Sequence, residues 1–106
     1  EDDKQIYVHA GTDPKIPLAL QSEKCLLWSR DVNDESHRTS SSEKTVIYGH
    51  TAFDKPKIVP GKIGIDTGAV YGGHLTCLVV PDYDFIQVKG GLESDSWLVF
   101  KGGLVV

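Results

Sequence analysis

The sequence predicts an α+β protein in which β-sheet dominates. Short runs rich in β-branched and aromatic residues recur along the chain, and most of them end in glycine, proline or aspartate. Such runs are typical of buried strands that are bounded by turns. One segment, residues 20–30, instead spaces its apolar residues at helical intervals. We therefore expect one helix and six to eight strands.

The first strand and the helix are predicted in the N-terminal part of the chain. The run IYVHAG predicts a buried strand that ends at His9 beside two small residues. In residues 20–30 the apolar side chains fall roughly on one helical face, and Ser22 is a typical helix-start residue. Trp28 lies on this face, so we expect its indole to be anchored in the core.

The middle and the C-terminal part of the chain predict a loop, a strand and two hairpins. Residues 33–44 are polar and rich in serine, which indicates a mobile surface loop, and His37 within it is expected to be solvated. The run TVIYGH predicts a second strand that ends at His50. A first hairpin is expected to turn at Pro60-Gly61 and a second near Asp82.

Composition excludes several classes of function. The chain has 106 residues with 15 acidic and 11 basic side chains, and the basic ones are scattered, so nucleic acid is not an expected partner. No apolar run approaches the roughly 20 residues that span a membrane. Cys25 and Cys77 lie too far apart for a Cys-x-x-Cys motif. We expect one soluble, cytoplasmic domain with two buried, reduced thiols.

Two histidines, His9 and His50, are the strongest candidates for chemistry. Each follows a predicted strand beside small residues, where a ring is held firmly and space remains for an ion and a substrate. Neutral imidazole is the commonest protein ligand of transition metals. From spacing alone, however, two ordinary hydrogen-bonded histidines are the favoured interpretation, and a metal pair is the alternative.

The Asp66-Thr67-Gly68 triplet after an apolar run suggests a different chemistry. This pattern is also the catalytic signature of retropepsin-like aspartic proteases, in which two aspartates from two subunits share a proton. Only residues 69–106 follow the triplet, which is too short a segment to complete that barrel. An aspartic protease is therefore a minor alternative.

Three stretches carry a specific resemblance when they are taken together. IYVHAG, IPLALQSEKCLLWSR and VIYGHTAFDKPKIVPGKIGIDTGAVYGGHLTCLVV resemble, in order, the C-terminal half of calcineurin-like metallophosphoesterases of the bacterial serine/threonine protein phosphatase and diadenosine-tetraphosphatase type. The resemblance runs from about Ile6 to Val80. It implies the sheet-dominated C-terminal half of a four-layer α/β/β/α sandwich in residues 1–90, with residues 91–106 as an unassigned tail.

The resemblance implies a metal-dependent phosphoester hydrolase. It assigns His9 and His50 as ligands in a centre of two divalent ions, Mn, Fe or Zn, and so reverses the interpretation that spacing alone favours. Two such ions polarise the phosphoryl oxygens and activate water for in-line attack. The implied substrate is a phosphorylated protein or a small phosphoester such as a nucleotide.

Further site residues follow from the same resemblance, although none is assigned as catalytic. Arg30, in LLWSR, is expected to bind a substrate phosphate, since a planar guanidinium suits bidentate contact with phosphate; a surface ion pair is the alternative. Tyr71 is expected to border the substrate cleft. Asp66, Thr67 and Gly68 are expected to form a loop near the site, where Asp66 orients the backbone by hydrogen bonding rather than performing chemistry.

The sequence also departs from the family pattern. The family's remaining ligands come from Asp-x-His, Gly-Asp-x-x-Asp-Arg and Gly-Asn-His motifs in an N-terminal half, and none of these motifs occurs here. The chain contains no methionine and begins Glu-Asp-Asp, so we expect a fragment that is nearly inactive alone and needs the missing N-terminal half as a partner. Such a fragment should expose an apolar sheet face and should aggregate or be only marginally stable unless the N-terminal half is supplied. A non-catalytic pseudo-phosphatase segment is a second alternative.

Overall fold

The computed structural model describes residues 1–30 and 44–90, together with the backbone of residues 97–100. These residues contain eight strands, one α-helix and two 3-10 helices, in agreement with the predicted α+β class. The strands are β1 (Gln5–Tyr7), β2 (Thr45–Tyr48), β3 (Lys57–Val59), β4 (Lys62–Gly64), β5 (Asp66–Thr67), β6 (His74–Val79), β7 (Asp84–Lys89) and β8 (Trp97–Phe100). The helix α1 spans Glu23–Trp28, and the 3-10 helices span Leu18–Leu20 and Ala69–Tyr71.

Two predicted features fall largely outside the described residues. The polar segment that was expected to be a surface loop lies outside them, together with His37, except for Lys44 at its end. Most of the tail that was left unassigned also lies outside them, except for strand β8, which pairs with β7. In the described parts of the chain, no helix has the length and apolar character needed to cross a membrane.

The strands form two four-stranded sheets of different kinds. The first has the order β1-β2-β4-β3, with β1, β2 and β4 parallel and β3 antiparallel to β4. The second is antiparallel throughout, in the order β5-β6-β7-β8. Because β1 and β2 are parallel neighbours, their carboxyl ends lie at the same edge of the sheet. His9 and His50 each follow the last residue of these strands by two positions, so the topology brings them to one place.

Both predicted hairpins are confirmed. Strands β3 and β4 are joined by Pro60 and Gly61, and Gly61 has a φ of 79°, which glycine adopts at no steric cost. Strands β6 and β7 pair antiparallel over their whole length around a turn that contains Asp82. Turn chemistry therefore identifies both reversals of the chain correctly.

The core lies between the two sheets. Ile47 and Ile63 of the first sheet and Phe85 of the second form a buried cluster, with Leu78 and Tyr83 packed against it. Apolar burial of this kind is the main favourable contribution to folding. The second sheet therefore packs on the first through one face only.

The opposite face of the second sheet is apolar and exposed. Along β6, Leu75, Cys77 and Val79 alternate with less exposed residues, and Leu75 is 62% exposed. An exposed apolar face agrees with the expectation from sequence, and aggregation stays a prediction. Both cysteines are free, as expected. The prediction that both thiols are buried is wrong, because Cys25 is only partly buried and Cys77 is exposed.

The helix begins where its cap predicts but is shorter than expected. The Ser22 hydroxyl accepts a hydrogen bond from the backbone N–H of Cys25 at 3.1 Å, a standard N-cap arrangement. The helix then spans six residues instead of the whole of 20–30. The placement of Trp28 in the core is wrong, because its side chain is 67% exposed. Helical spacing shows which residues share a face, but it does not show what covers that face.

A turn at the N-terminus places a carboxylate where it accepts several hydrogen bonds. One oxygen of Asp2 accepts from the backbone N–H groups of Lys4 and Gln5 at 2.8 and 2.7 Å, and the other accepts from the Tyr7 hydroxyl at 2.6 Å. These bonds, the one from Tyr7 most strongly, lower the pKa of Asp2 from 3.8 to about 2. Hydrogen bonds to the charged form of a carboxyl group favour that form.

This shift in pKa predicts a pH-dependent contribution of Asp2 to stability. Because the folded pKa lies below the ordinary value, the contribution is complete above about pH 4 and is lost as the pH falls through the folded pKa of about 2. Asp2→Asn is therefore expected to lower Tm at pH 7 and to flatten the dependence of Tm on pH between 4 and 2. Asp3→Asn is the matched control, because the structure describes no side-chain hydrogen bond of Asp3. Identical Tm profiles for the two variants, measured by circular dichroism, would contradict the prediction.

Candidate functional site

The two candidate histidines lie in direct contact at the carboxyl edge of the first sheet. Nε2 of His9 lies 3.0 Å from Nδ1 of His50, and the ring centroids are 4.8 Å apart at an angle of 60°. The loops that carry the rings are tied together by the backbone N–H of Gly49, which donates to the carbonyl of His9 at 2.7 Å. The structure therefore brings together His9 and His50, the two residues that the sequence indicates as the strongest candidates for chemistry.

His50 is held in an unusual conformation. Its φ of 70° lies in the left-handed region, which non-glycine residues seldom adopt and which is often found at functional sites. Its Nε2 atom is buried and has no hydrogen-bond partner among the described residues. Buried polar atoms without a partner are rare in folded proteins. Both features make the His50 ring a candidate to contact a group that the described residues do not contain.

The histidine pair fits part of a metal shell. Two nitrogens that bind one ion at about 2.1 Å, at roughly a right angle, lie about 3.0 Å apart, which is also the length of a hydrogen bond between two neutral imidazoles. Ligating histidines usually donate their second ring N–H to a carboxylate, a carbonyl or water, and the Nε2 atom of His50 still needs such an acceptor. Within residues 1–30 and 44–90, no group of three or more potential ligands is found. The described residues thus offer two potential ligands, fewer than the three or four that a catalytic metal site usually has.

The Asp66-Thr67-Gly68 segment, which was expected to be a loop, forms the short strand β5 and the glycine that follows it, and it lies beside the segment that carries His50. The carbonyl of Asp66 accepts from the backbone N–H of Phe53 at 3.0 Å, and its side chain lies next to Gly49. One carboxylate oxygen accepts from the backbone N–H of Gly68 at 3.0 Å. Asp66 is therefore placed to hold the backbone of the loop, which is the role that the sequence predicts for it.

A buried hydrogen-bond chain fixes Thr67 within the second sheet. The Thr67 hydroxyl lies 2.5 Å from the carbonyl of His74 and 2.5 Å from the Thr76 hydroxyl, which also accepts from the Gln87 amide at 2.8 Å. Each hydroxyl has one proton. Thr67 therefore donates to His74, Thr76 donates to Thr67, and Gln87 donates to Thr76. Sequence analysis did not identify Thr76 or Gln87, since only the register of three strands brings them together.

Arg30 and Tyr71 are exposed and are not joined to the histidines. Tyr71 ends the 3-10 helix that follows Gly68, and it is 83% exposed. Arg30 follows Ser29, whose side chain lies close to Gly11, two residues beyond His9. No described hydrogen bond or ring contact links Arg30 or Tyr71 to the histidine pair. Their assignment to the substrate stays a prediction.

Trp28 is the aromatic residue that the structure places at the site. Its ring lies 5.9 Å from the ring of His50, centroid to centroid, at an angle of 87°. Edge-to-face contacts of this kind are a favoured arrangement of aromatic rings. Sequence analysis assigned Trp28 to the core, although its position two residues before Arg30 is a signal that points to the site.

Comparisons with known proteins agree with the resemblance carried by the motifs. No protein-family model matches the chain. The chain is 42% identical to the bis(5'-nucleosyl)-tetraphosphatase PrpE [asymmetrical] of Halalkalibacterium halodurans, in an alignment that covers 95% of this chain and 47% of the relative. It is 43% identical to the protein of the same name from Bacillus thuringiensis, over 86% of this chain and 42% of the relative.

A solved structure supports the same assignment. The crystal structure of a proposed diadenosine tetraphosphatase superposes with a TM-score of 0.62 at 29% identity, over 78% of this chain and 45% of the other. None of these findings supports the aspartic-protease alternative. They confirm the similarity to a calcineurin-like metallophosphoesterase of the diadenosine-tetraphosphatase type, for a chain that spans about half the length of the curated relatives it matches.

Proposed function

We propose that this chain supplies two metal ligands and the nearby substrate contacts of a divalent-metal hydrolase that cleaves dinucleoside polyphosphates. The observation that carries the proposal is the contact between His9 Nε2 and His50 Nδ1 at the ends of two parallel strands. It occurs in a chain that is 42% identical to a bis(5'-nucleosyl)-tetraphosphatase. The four-layer sandwich, the domain boundary at residue 90 and the cytoplasmic location belong to the same proposal.

The chain's own residues have distinct tasks in this mechanism. His9 and His50 would hold a divalent ion, Mn, Fe or Zn, with further ligands supplied from outside the described residues. When bound, two such ions supply Lewis-acid chemistry and lower the pKa of water. Asp66 holds the backbone at Gly68, and Thr67 ties strand β5 to strand β6, through their hydrogen bonds. Arg30 offers a bidentate guanidinium to a phosphate.

A nucleotide is a better candidate substrate than a phosphoprotein. The relatives described above are named as tetraphosphatases, and none of them is named as a protein phosphatase. Asymmetrical hydrolysis of a dinucleoside tetraphosphate adds one water and breaks one P–O–P bond. A nucleoside monophosphate and a nucleoside triphosphate are then released. Symmetrical cleavage would instead give two diphosphates.

The product pattern tests the proposal directly. The chain is mixed with Mn²⁺ and with the part of the H. halodurans relative that it does not cover, and diadenosine tetraphosphate is added. We expect AMP and ATP in equal amounts by chromatography, and little product from the chain alone. A phosphoserine peptide in place of the nucleotide serves as the competing substrate. The proposal is wrong if the mixture binds two metal ions but releases phosphate only from the peptide, or if it cleaves neither substrate.

A further inference from the structure

We propose that Trp28 is a stacking platform for a nucleobase of the substrate. The inference rests on the proposed function, since it names the part of a nucleotide that this site would recognise. It begins from the contact between the indole and the ring of His50, with centroids 5.9 Å apart. Through His50 the indole adjoins the histidine pair, while 67% of the Trp28 surface remains exposed.

The position of Trp28 is fixed by backbone hydrogen bonds rather than by burial. Trp28 is the last residue of α1, and no residue of that helix is buried. The helix is tied to the loop of His9 by the backbone N–H of Ala10, which donates to the carbonyl of Leu26 at 2.8 Å. Ser29 closes the helix by donating to the carbonyl of Cys25 at 3.2 Å. The helix that carries the indole is thus anchored to the same loop that positions His9.

The chemistry of the site favours a base as the occupant. A planar indole that is open to solvent can stack on any nucleobase, because every base has a π-face. Arg30 lies two residues further along the chain and offers a guanidinium for phosphate. The indole of Trp28, the guanidinium of Arg30 and the two imidazoles therefore lie on adjacent segments. The indole would contact the base of a nucleotide, and the guanidinium would contact its phosphate.

Binding without turnover provides the first test. Indole signals of the ¹⁵N-labelled chain are recorded by NMR, with no metal, during titration with AMP and, separately, with ribose 5-phosphate. We expect AMP to move the Trp28 signal and ribose 5-phosphate to leave it in place. Trp28→Phe, which leaves Trp97 as the remaining tryptophan, assigns the two indole signals. Equal shifts with both ligands, or no shift of Trp28 with AMP, would overturn the proposal.

Kinetics of the mixture that contains both halves provide the second test. Trp28→Ala is expected to raise KM for diadenosine tetraphosphate by about 5- to 150-fold, the range that corresponds to removal of an aromatic ring beneath a base. Inorganic tripolyphosphate should show no such change, and Trp28→Phe should restore most of the affinity. Leu20→Ala is the control, since Leu20 is an exposed apolar residue that makes no ring contact with the histidines.

The two tests separate this inference from the proposed function. If no phosphoester is cleaved but AMP still moves the Trp28 signal, the hydrolase proposal fails and stacking stands. If both substrates are cleaved and Trp28→Ala raises their KM values equally, hydrolysis stands and stacking fails. Should Trp28→Ala not fold, the AMP titration of the unmodified chain and the Trp28→Phe kinetics still decide the question.

Discussion

Replacing His50 by asparagine is expected to lower metal-dependent hydrolysis by at least about 100-fold in the mixture of both halves. The loss should exceed the 10- to 100-fold typical of residues that only support a metal ligand, because the imidazole itself is removed. Asparagine is the suitable replacement, since it tolerates the left-handed backbone that His50 adopts better than most residues do. A smaller loss would mean that His50 is not a ligand.

His9→Asn is expected to have an effect of the same size, and the double variant should be little worse than either single one. The two rings act as a unit, since His9 Nε2 and His50 Nδ1 lie 3.0 Å apart. Residues that act together in this way show strongly non-additive effects. Rates are measured alongside metal content, so that loss of metal is distinguished from loss of a proton donor.

The control for both variants is His74→Asn. His74 opens strand β6 and is only partly buried, and its ring makes no described contact with the histidine pair. This variant should keep both the rate and the metal content. If His74→Asn lowers activity as much as His50→Asn does, or if His9→Asn keeps its metal, the assignment of the pair as ligands is wrong.

The strand ends and turns of this chain could be predicted because they depend on neighbouring residues. Pro60 and Gly61 fix their own reversal of the chain, and a β-branched run that ends in Gly-His marks the end of β2. The meeting of His9 and His50 depends instead on β1 and β2 being parallel neighbours. No local pattern contains that pairing. The prediction that both histidines belong to one site rests instead on the resemblance of whole motifs.

The errors at the site have a related cause. Ser22 was identified correctly at the start of the helix, where it caps α1, but helical spacing could not show that no residue of α1 is buried. Trp28 was therefore assigned to the core instead of the site. Thr76 and Gln87 were missed because a threonine or a glutamine within a strand gives no sign of its partner across the sheet. Only the register of β5, β6 and β7 joins them to Thr67.

Gly73→Ala is expected to be the most damaging change outside the histidine pair. A Cβ at this position would overlap the carbonyl oxygen of Thr67 and lie 2.9 Å from that of Gly68. Both neighbours are backbone atoms, so relief requires the loop itself to move. Overpacking of this kind typically costs about 1–3 kcal/mol of unfolding free energy. Chemical denaturation of the variant measures the loss.

Gly73→Ala should also weaken metal binding by the histidines, because Gly73 closes the loop that lies beside them. Its N–H donates to the carbonyl of Gly68 at 2.8 Å, and the side chain of Asp66 in the same loop lies next to Gly49. A displaced loop is therefore expected to weaken metal binding by more than the loss of folded protein explains.

Gly72→Asn is the matched control for this change. A Cβ at Gly72 would meet no atom within 4 Å, and asparagine tolerates the φ of 88° found there. The control variant carries only the modest strain of a left-handed asparagine, so it should lose clearly less stability than Gly73→Ala and keep its metal affinity. If both variants lose stability equally, contact with the carbonyl oxygen of Thr67 is not what limits position 73. If Gly73→Ala is destabilised but binds metal normally, the loop does not support the site.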